Sequence, residues 1–188
     1  MEKGKTALLI IDMINRFDFE GGARLGRAAV HAAPRIAQLR ERFEQAQAPV
    51  IYVNDNFAQW QGEFHDLVRA CEAEGGHAAE IVERLSPRQG DYYILKPKHS
   101  AFLATALDVL LAKLKVRQLV LTGLSADSCI LATAQDANMR EFKLWIPSDC
   151  VGSRTEVLKK QALALIKGAR LAETGSTRII RGVFPAAS

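Results

Sequence analysis

Short apolar runs rich in β-branched residues alternate along the chain with longer segments in which apolar positions recur every three or four residues. The short runs predict strands over residues 7–11, 50–54, 92–95, 119–122, 143–146 and, with the weakest pattern, 178–180. The longer segments predict helices over residues 28–47, 64–85, 101–115, 128–140 and 155–173. This alternation predicts an α/β fold in which helices cover both faces of a parallel sheet.

Length and composition fit one ordinary globular domain spanning residues 1–188. The 48% hydrophobic and 24% charged residues exclude a disordered or fibrous chain, and no linker or repeat interrupts the pattern. The net charge of +4 is spread without a polybasic run, so we expect neither a nucleic-acid nor a membrane partner. No apolar run has the length of a signal peptide or a membrane span, which predicts a cytoplasmic protein.

Three polar residues stand where predicted strands end. Asp12 follows the first strand, Lys96 follows the third, and Cys129 lies in the turn after the fourth. Because the carboxyl ends of parallel strands meet at one edge of a sheet, we expect these three side chains to converge. A proton acceptor, a cation and a nucleophile at one edge make up the set that covalent catalysis requires.

Cys129 is preceded by LTGLSADS, in which Gly123 allows a sharp turn and Ser125, Asp127 and Ser128 are candidate caps of the next helix. This places the sulfur in the first turn of that helix. There the helix dipole and a nearby lysine favour the thiolate, and unpaired amides offer donors to a developing oxyanion. The sequence therefore predicts a reactive cysteine.

Simpler explanations remain open for the same residues. A free cysteine is more often a small buried side chain, and Asp12 with Lys96 also fits a structural ion pair. The other two cysteines, Cys71 and Cys150, show no metal-like spacing with Cys129 and no C-x-x-C motif, so we expect free thiols and neither a zinc knuckle nor a redox pair. A receiver-like signalling module also places Asp and Lys at strand ends, but Met13 stands where its second acid would be.

Four segments together resemble a known family, the isochorismatase-like cysteine hydrolases, which include nicotinamidases and N-carbamoyl amidases. The segments are ALLIIDMINRF, YVNDNFAQW, LKPKHSAF and LVLTGLSADSCILATAQDA, and they span most of the chain. The spacing before Ser-Ala-Phe selects Lys96 over Lys98 as the lysine of the family motif. The resemblance implies a three-layer α/β/α sandwich with a mainly parallel, six-stranded, Rossmann-like sheet, and a homodimer or homotetramer.

The resemblance also implies roles for individual residues. Asp12 would take the thiol proton, Lys96 would stabilise the charges, and Cys129 would attack a carbonyl to give a thioester. The backbone amides of Ser125 and Cys129 would form the oxyanion hole, with a cis peptide bond between Leu124 and Ser125. A small-molecule substrate with an amide, carbamoyl or related C–N bond is expected.

Two departures from family patterns shape the expected chemistry. Nicotinamidases carry an Asp-x-His metal motif after the second strand, whereas this chain has Asp55-Asn56-Phe57, so we expect no metal ion and no other cofactor. Isochorismatases cleave a vinyl ether and lack the cysteine, so Cys129 favours C–N hydrolysis over that alternative.

Loop residues near the predicted strand ends are candidates for the substrate pocket. They are Phe17, Trp60, Phe64 and His99. A lone loop histidine is more often simply solvated, and the aromatic residues fit a latch onto the core or a subunit contact equally well.

Overall fold

The structure, a computed structural model, describes residues 5–56 and 61–186. Six parallel strands form one sheet: β1 (Lys5–Ile11), β2 (Val50–Asp55), β3 (Tyr92–Lys96), β4 (Val116–Gly123), β5 (Lys143–Pro147) and β6 (Glu173–Gly175). They lie in the order β3-β2-β1-β4-β5-β6. The five strands that the apolar runs predicted, β1 to β5, fill every position of the sheet except the edge formed by β6. Parallel strands that are buried on both faces need apolar residues throughout, which explains these runs.

Six α-helices cover the sheet: α1 (Gly22–Gln45), α2 (Phe64–Glu74), α3 (Gly76–Leu85), α4 (Leu107–Lys113), α5 (Leu131–Met139) and α6 (Glu156–Gly168). Alternate residues of each strand face opposite sides. In β1, Leu8 and Ile10 pack into the hydrophobic cluster with α1, α2 and α3, whereas Leu9 and Ile11 pack into the cluster with α4, α5 and α6. The predicted three-layer α/β/α sandwich is confirmed.

Three predicted elements differ from the observed ones. The predicted helix over residues 64–85 is two helices, because Gly75 and Gly76 adopt φ of 75° and 55° and interrupt the helical backbone. The predicted helix over residues 101–115 is shortened to α4. Before α4, the backbone is held by side chains instead, since the Ala101 amide donates to Thr133 Oγ1 at 3.0 Å and Thr105 Oγ1 donates to the Ala101 carbonyl at 2.6 Å.

The sixth strand was predicted in the wrong place. It runs over Glu173–Gly175, and Thr177–Ile179 forms a 3₁₀ turn instead. Asp149 is the reason: its carboxylate accepts from the Thr177 amide at 2.9 Å and from the Ser176 hydroxyl at 2.8 Å. The apolar pattern over residues 178–180 is too short to distinguish a turn of this kind from a strand.

Candidate active site

The sheet reverses its winding between β1 and β4, its two central strands. The strands on one side of this switch point are β1, β2 and β3, and those on the other are β4, β5 and β6. The crevice outside the carboxyl ends of such strands is where open α/β sheets bind ligands. Asp12 and Cys129 follow the two strands that flank this crevice.

Asp12 is held in an uncommon backbone conformation directly after β1. Its φ is 52°, in the left-handed region that non-glycine residues rarely adopt, although Asp tolerates it better than most. Its amide donates to the Val53 carbonyl at 2.8 Å, and its Oδ1 accepts from the Asp55 amide at 2.9 Å. The carboxylate is therefore fixed by the neighbouring strand β2.

Lys96 ends β3 and its side chain is completely buried. Its Nζ lies 2.9 Å from Asp12 Oδ2 and 3.6 Å from Cys129 Sγ. It also donates to Asp55 Oδ1. A buried ammonium is costly unless it is paired, and here one cation serves two carboxylates and a sulfur.

Cys129 reaches the crevice because of a tight turn after β4. Gly123 adopts φ of 107°, and a Cβ at this position would lie 2.0 Å from the Ile11 carbonyl oxygen, so only glycine fits. Leu124 then donates to that same carbonyl at 2.9 Å. A π-helical turn over Ala126–Ile130 follows and leads into α5. The prediction that the sulfur lies in the first helical turn is confirmed.

The predicted cis peptide bond between Leu124 and Ser125 is wrong, because this bond is trans. Gly123 makes the sharp turn instead, and Ser125 continues from it in an extended conformation with φ −91° and ψ 147°. The turn is held by the Ala126 amide, which donates to the Gly152 carbonyl at 2.8 Å. A glycine in the left-handed region meets the steric demand without a strained non-proline cis bond.

The turn that carries Cys129 arranges several backbone amides around the Ser125 carbonyl. The amides of Ser128 and Ile130 both donate to this carbonyl at 3.1 Å. The same turn carries the Cys129 amide, and Ser125 directly precedes it; these are the two donors expected for an oxyanion.

Burial shifts the protonation of the three groups in ways that differ from the sequence expectation. Burial raises the pKa of Asp12 to about 6, with the Lys96 ammonium opposing the shift and the Asp55 carboxylate adding to it. Burial and the Asp12 charge raise the pKa of Cys129 to about 12. The pKa of Lys96 is lowered by burial but raised overall by Asp12 and the other charges beside it. Burial and the Asp12 charge thus oppose the thiolate that the helical turn and Lys96 were expected to favour.

Asp55 is a further member of this group, which the sequence indicated only as a candidate metal ligand. The structure pairs Asp55 with Lys96 both in strand register and through their side chains. The available signal was the lysine itself, since an ammonium after a buried strand requires a carboxylate at the end of a neighbouring strand. Asp55 ends β2, which lies next to β3, and Asp12 directly follows β1, the strand beyond β2.

The candidate pocket residues have different outcomes. His99 is exposed, and its Nδ1 lies 3.8 Å from Cys129 Sγ and 3.2 Å from Ser128 Oγ. Phe17 and Phe64 are both buried in the cluster beneath α1, α2 and α3, where Phe64 stacks on Tyr93 with ring centroids 5.4 Å apart. Their large apolar area favours the core over a solvent-facing wall. Trp60 lies outside the described residues.

An open cleft of about 280 Å³ borders the group at Asp55 and Leu95. Its far wall is the start of α2, including Asp66 and Leu67. In the part of the chain that the structure describes, no three His, Cys, Asp or Glu residues are grouped so that they could hold a metal ion. No helix in residues 5–56 or 61–186 is both long and apolar enough to cross a membrane.

Fold and site together define a class: a parallel α/β protein in which a carboxylate, an ammonium and a thiol meet at the switch point of the sheet. The chain belongs to the isochorismatase family of hydrolases, since residues 6–178 match the model of the isochorismatase domain. The resemblance seen in the sequence is thus confirmed, and it favours an enzyme over a signalling module.

Similar proteins include both close and more distant members. The isochorismatase family protein YaaI of Bacillus subtilis (strain 168) is 39% identical over 173 residues, which cover 92% of this chain and 94% of that protein. The ureidoacrylate amidohydrolase RutB of Klebsiella pneumoniae (strain 342) is 36% identical, covering 73% and 69%. The solved structure of N-carbamoylsarcosine amidase from Thermoplasma acidophilum aligns with a TM-score of 0.68 at 26% identity, covering 95% and 99%.

Proposed function

We propose that this protein hydrolyses a C–N bond of a small amide or carbamoyl compound through a thioester on Cys129. One observation carries the proposal: a single buried ammonium, Lys96 Nζ, contacts Asp12 Oδ2 at 2.9 Å and Cys129 Sγ at 3.6 Å. Base, cation and nucleophile are thus within reach of one another. The relatives named for ureidoacrylate and N-carbamoylsarcosine support carbamoyl-type substrates.

The first half of the reaction forms the thioester. Asp12 takes the proton from Cys129 as the sulfur attacks the carbonyl carbon, and Lys96 stabilises the negative charge as it moves from oxygen to sulfur. The Ser125 and Cys129 amides donate to the oxyanion of the tetrahedral intermediate, where one such donor is typically worth about 3 kcal/mol. The C–N bond then breaks, and protonated Asp12 gives its proton to the leaving nitrogen.

The second half releases the acid. Asp12, again a carboxylate, takes a proton from the water that attacks the thioester, and the C–S bond breaks as that proton returns to the sulfur. The raised pKa values of Asp12 and Cys129 suit this cycle, because the carboxylate is ionised near neutral pH and the sulfur holds its proton until substrate arrives. The proposed cycle requires no metal ion or cofactor, because Asp12, Lys96 and Cys129 supply the base, the cation and the nucleophile.

His99 is the residue of the candidate pocket set that fits this scheme. It is exposed, and its Nδ1 lies 3.8 Å from Cys129 Sγ. From there it would contact the leaving group or the incoming water. The variant His99→Ala tests this role independently of Asp12, because it leaves the charges of Asp12, Lys96 and Asp55 unchanged.

Ammonia release from a panel of carboxamides, carbamoyl and ureido compounds tests the proposal. Wild type should release ammonia, whereas Cys129→Ala should not, and Cys71→Ala, which removes a thiol buried in the core, serves as the matched control. Acid quenching during turnover should trap an acyl group on Cys129, detected by peptide mass spectrometry. Full activity in Cys129→Ala would refute the covalent mechanism.

Hydrolysis of a vinyl ether remains the alternative that the family name itself favours. An isochorismate-type vinyl ether belongs in the same panel for that reason. If only this compound is consumed, and Cys129→Ala consumes it equally well, the reaction is ether hydrolysis and the thiol is incidental.

A further inference from the structure

We propose that Asp55 is a positioning residue that fixes both the base and the cation of this site, and that its negative charge drives the proton of the Cys129 thiol towards Asp12. Two separate bonds carry this inference. The Asp55 amide donates to Asp12 Oδ1 at 2.9 Å, and the Asp55 carboxylate accepts from Lys96 Nζ. This role rests on the function proposed above.

The position of Asp55 distinguishes it from an ordinary surface ion pair. Its own side chain is 40% exposed in the 280 Å³ cleft, but the ammonium that it binds is completely buried. The charge of Lys96 therefore depends on its protein partners, among which Asp55 connects it to the cleft. The carboxylate holds the ammonium at the end of β3, from which it reaches both Asp12 and Cys129.

The charges around Asp12 determine the sign of the electrostatic effect. Asp12 is faced by Lys96 from β3, by Asp55 from β2 and by Cys129 from the turn after β4, while His99 contacts the sulfur from outside. Lys96 alone would neutralise Asp12 and weaken it as a base. Asp55 shares that cation and adds a like charge that strengthens Asp12 as an acceptor of the thiol proton.

Alkylation of Cys129 by iodoacetamide tests this role without any substrate. The rate, measured by site-resolved mass spectrometry from pH 4.5 to 8.5, should fall where Asp12 becomes protonated and can no longer accept the thiol proton. In wild type this midpoint should lie near pH 6. In Asp55→Asn the midpoint should move about one unit lower, because a like charge next to Asp12 is removed.

Turnover provides the second measurement. Asp55→Asn should lower kcat by about ten- to a hundredfold with little change in KM, since the base and cation lose their alignment. Asp108→Asn is the matched control: Asp108 is also a half-exposed partner of a cation, Arg140, but it lies on α4 away from the thiol, so neither measurement should change. If Asp55→Asn does not fold, Asp55→Ser replaces it in both measurements, with the same expected changes in the alkylation midpoint and in kcat.

The outcomes separate this role from the proposed function. A midpoint that shifts in Asp55→Asn supports the role even if no amide in the panel is hydrolysed. An unchanged midpoint together with active amide hydrolysis overturns the role and leaves the proposed function intact. Loss of folding stability in Asp55→Asn with an unshifted midpoint would also overturn it, because Asp55 would then be structural only.

Discussion

Two buried ion pairs lie at opposite ends of the same sheet, and they are built differently. At the amino end, Arg40 of α1 binds Asp91, the residue before β3, and also donates to the Ser86 carbonyl at 3.1 Å. Asp91 also accepts from the Arg88 amide at 2.7 Å. One cation meets one carboxylate, a backbone carbonyl and the ring of Tyr52, whose centroid lies 5.8 Å from the guanidinium carbon.

At the carboxyl end, Lys96 meets two carboxylates and a thiol. Asp12 is the more deeply buried of the two acids, and burial raises its pKa to about 6. The amino-end pair is balanced, with one positive and one negative charge that join α1 to the segment before β3. The carboxyl-end group has two carboxylates for one ammonium, and the Cys129 thiol beside them can donate a proton. An unbalanced buried charge, rather than burial alone, distinguishes a site of chemistry from a structural pair.

Replacing the carboxylate in each region should give the largest contrast. Asp12→Asn should lower kcat/KM about 10⁴-fold, since the amide cannot take the thiol proton. Asp91→Asn, its counterpart at the amino end, should retain wild-type kcat/KM per folded molecule. Steady-state kinetics on purified, folded variants check this. Similar losses in the two variants would mean that Asp12 acts through stability.

Removing the cation at the amino end should affect stability. Arg40→Met leaves Asp91 buried without its partner and should lower the free energy of unfolding by about 3–5 kcal/mol. Chemical denaturation measures this loss. The folded fraction should turn over normally, and a loss of kcat in that fraction would show that the two ends are coupled.

Removing the cation at the carboxyl end should affect catalysis more than stability. Lys96→Met should lower kcat/KM about 10²–10³-fold, because the developing charge on sulfur loses its partner. Asp12 relieves the loss by binding a proton, so the stability cost should be smaller than in Arg40→Met. The acid limb of the pH profile should move to higher pH, since Lys96 lowers the pKa of Asp12. An unmoved limb would contradict the contact.

The pH dependence of wild type should show the smallest but most specific effect. Below about pH 6, kcat/KM should fall about tenfold per unit as Asp12 becomes protonated. The stability contribution of this group has the opposite sign. Because its folded pKa is raised, that contribution is fully present below the unfolded pKa near 3.8 and is lost as pH rises through about 6. Profiles of kcat/KM and of the free energy of unfolding against pH should therefore change in opposite directions near pH 6 in wild type, and both changes should be absent in Asp12→Asn.

Much of the fold could be predicted because burial leaves a simple pattern. The runs at residues 7–11 and 119–122 lie within β1 and β4, since central parallel strands must be apolar on both faces. The third helical segment was overestimated at its start because side chains of Thr105 and Thr133 hold residues before α4 in a non-helical path. The contact between Ala101 and Thr133 joins residues 32 apart in sequence, so no periodicity records it.

The site could be predicted in part for the same reason. Asp12, Lys96 and Cys129 each follow a strand, and the geometry of a parallel sheet brings strand ends together. The pocket aromatics could not be predicted, because Phe17 and Phe64 fit equally well in the core or at a cleft wall, and packing decides between these. The trans bond between Leu124 and Ser125 leaves no signal in the local sequence.

The amino-acid sequence alone determined that strands and helices alternate, because hydrophobic periodicity is a local property. It also determined that a carboxylate, an ammonium and a thiol lie at or just after the ends of three strands. Tertiary structure decided which charges share Lys96, and therefore where the proton rests. That outcome depends on distances of a few ångströms between separate strands and on the exclusion of water around them. Neither quantity is local to any segment of the chain.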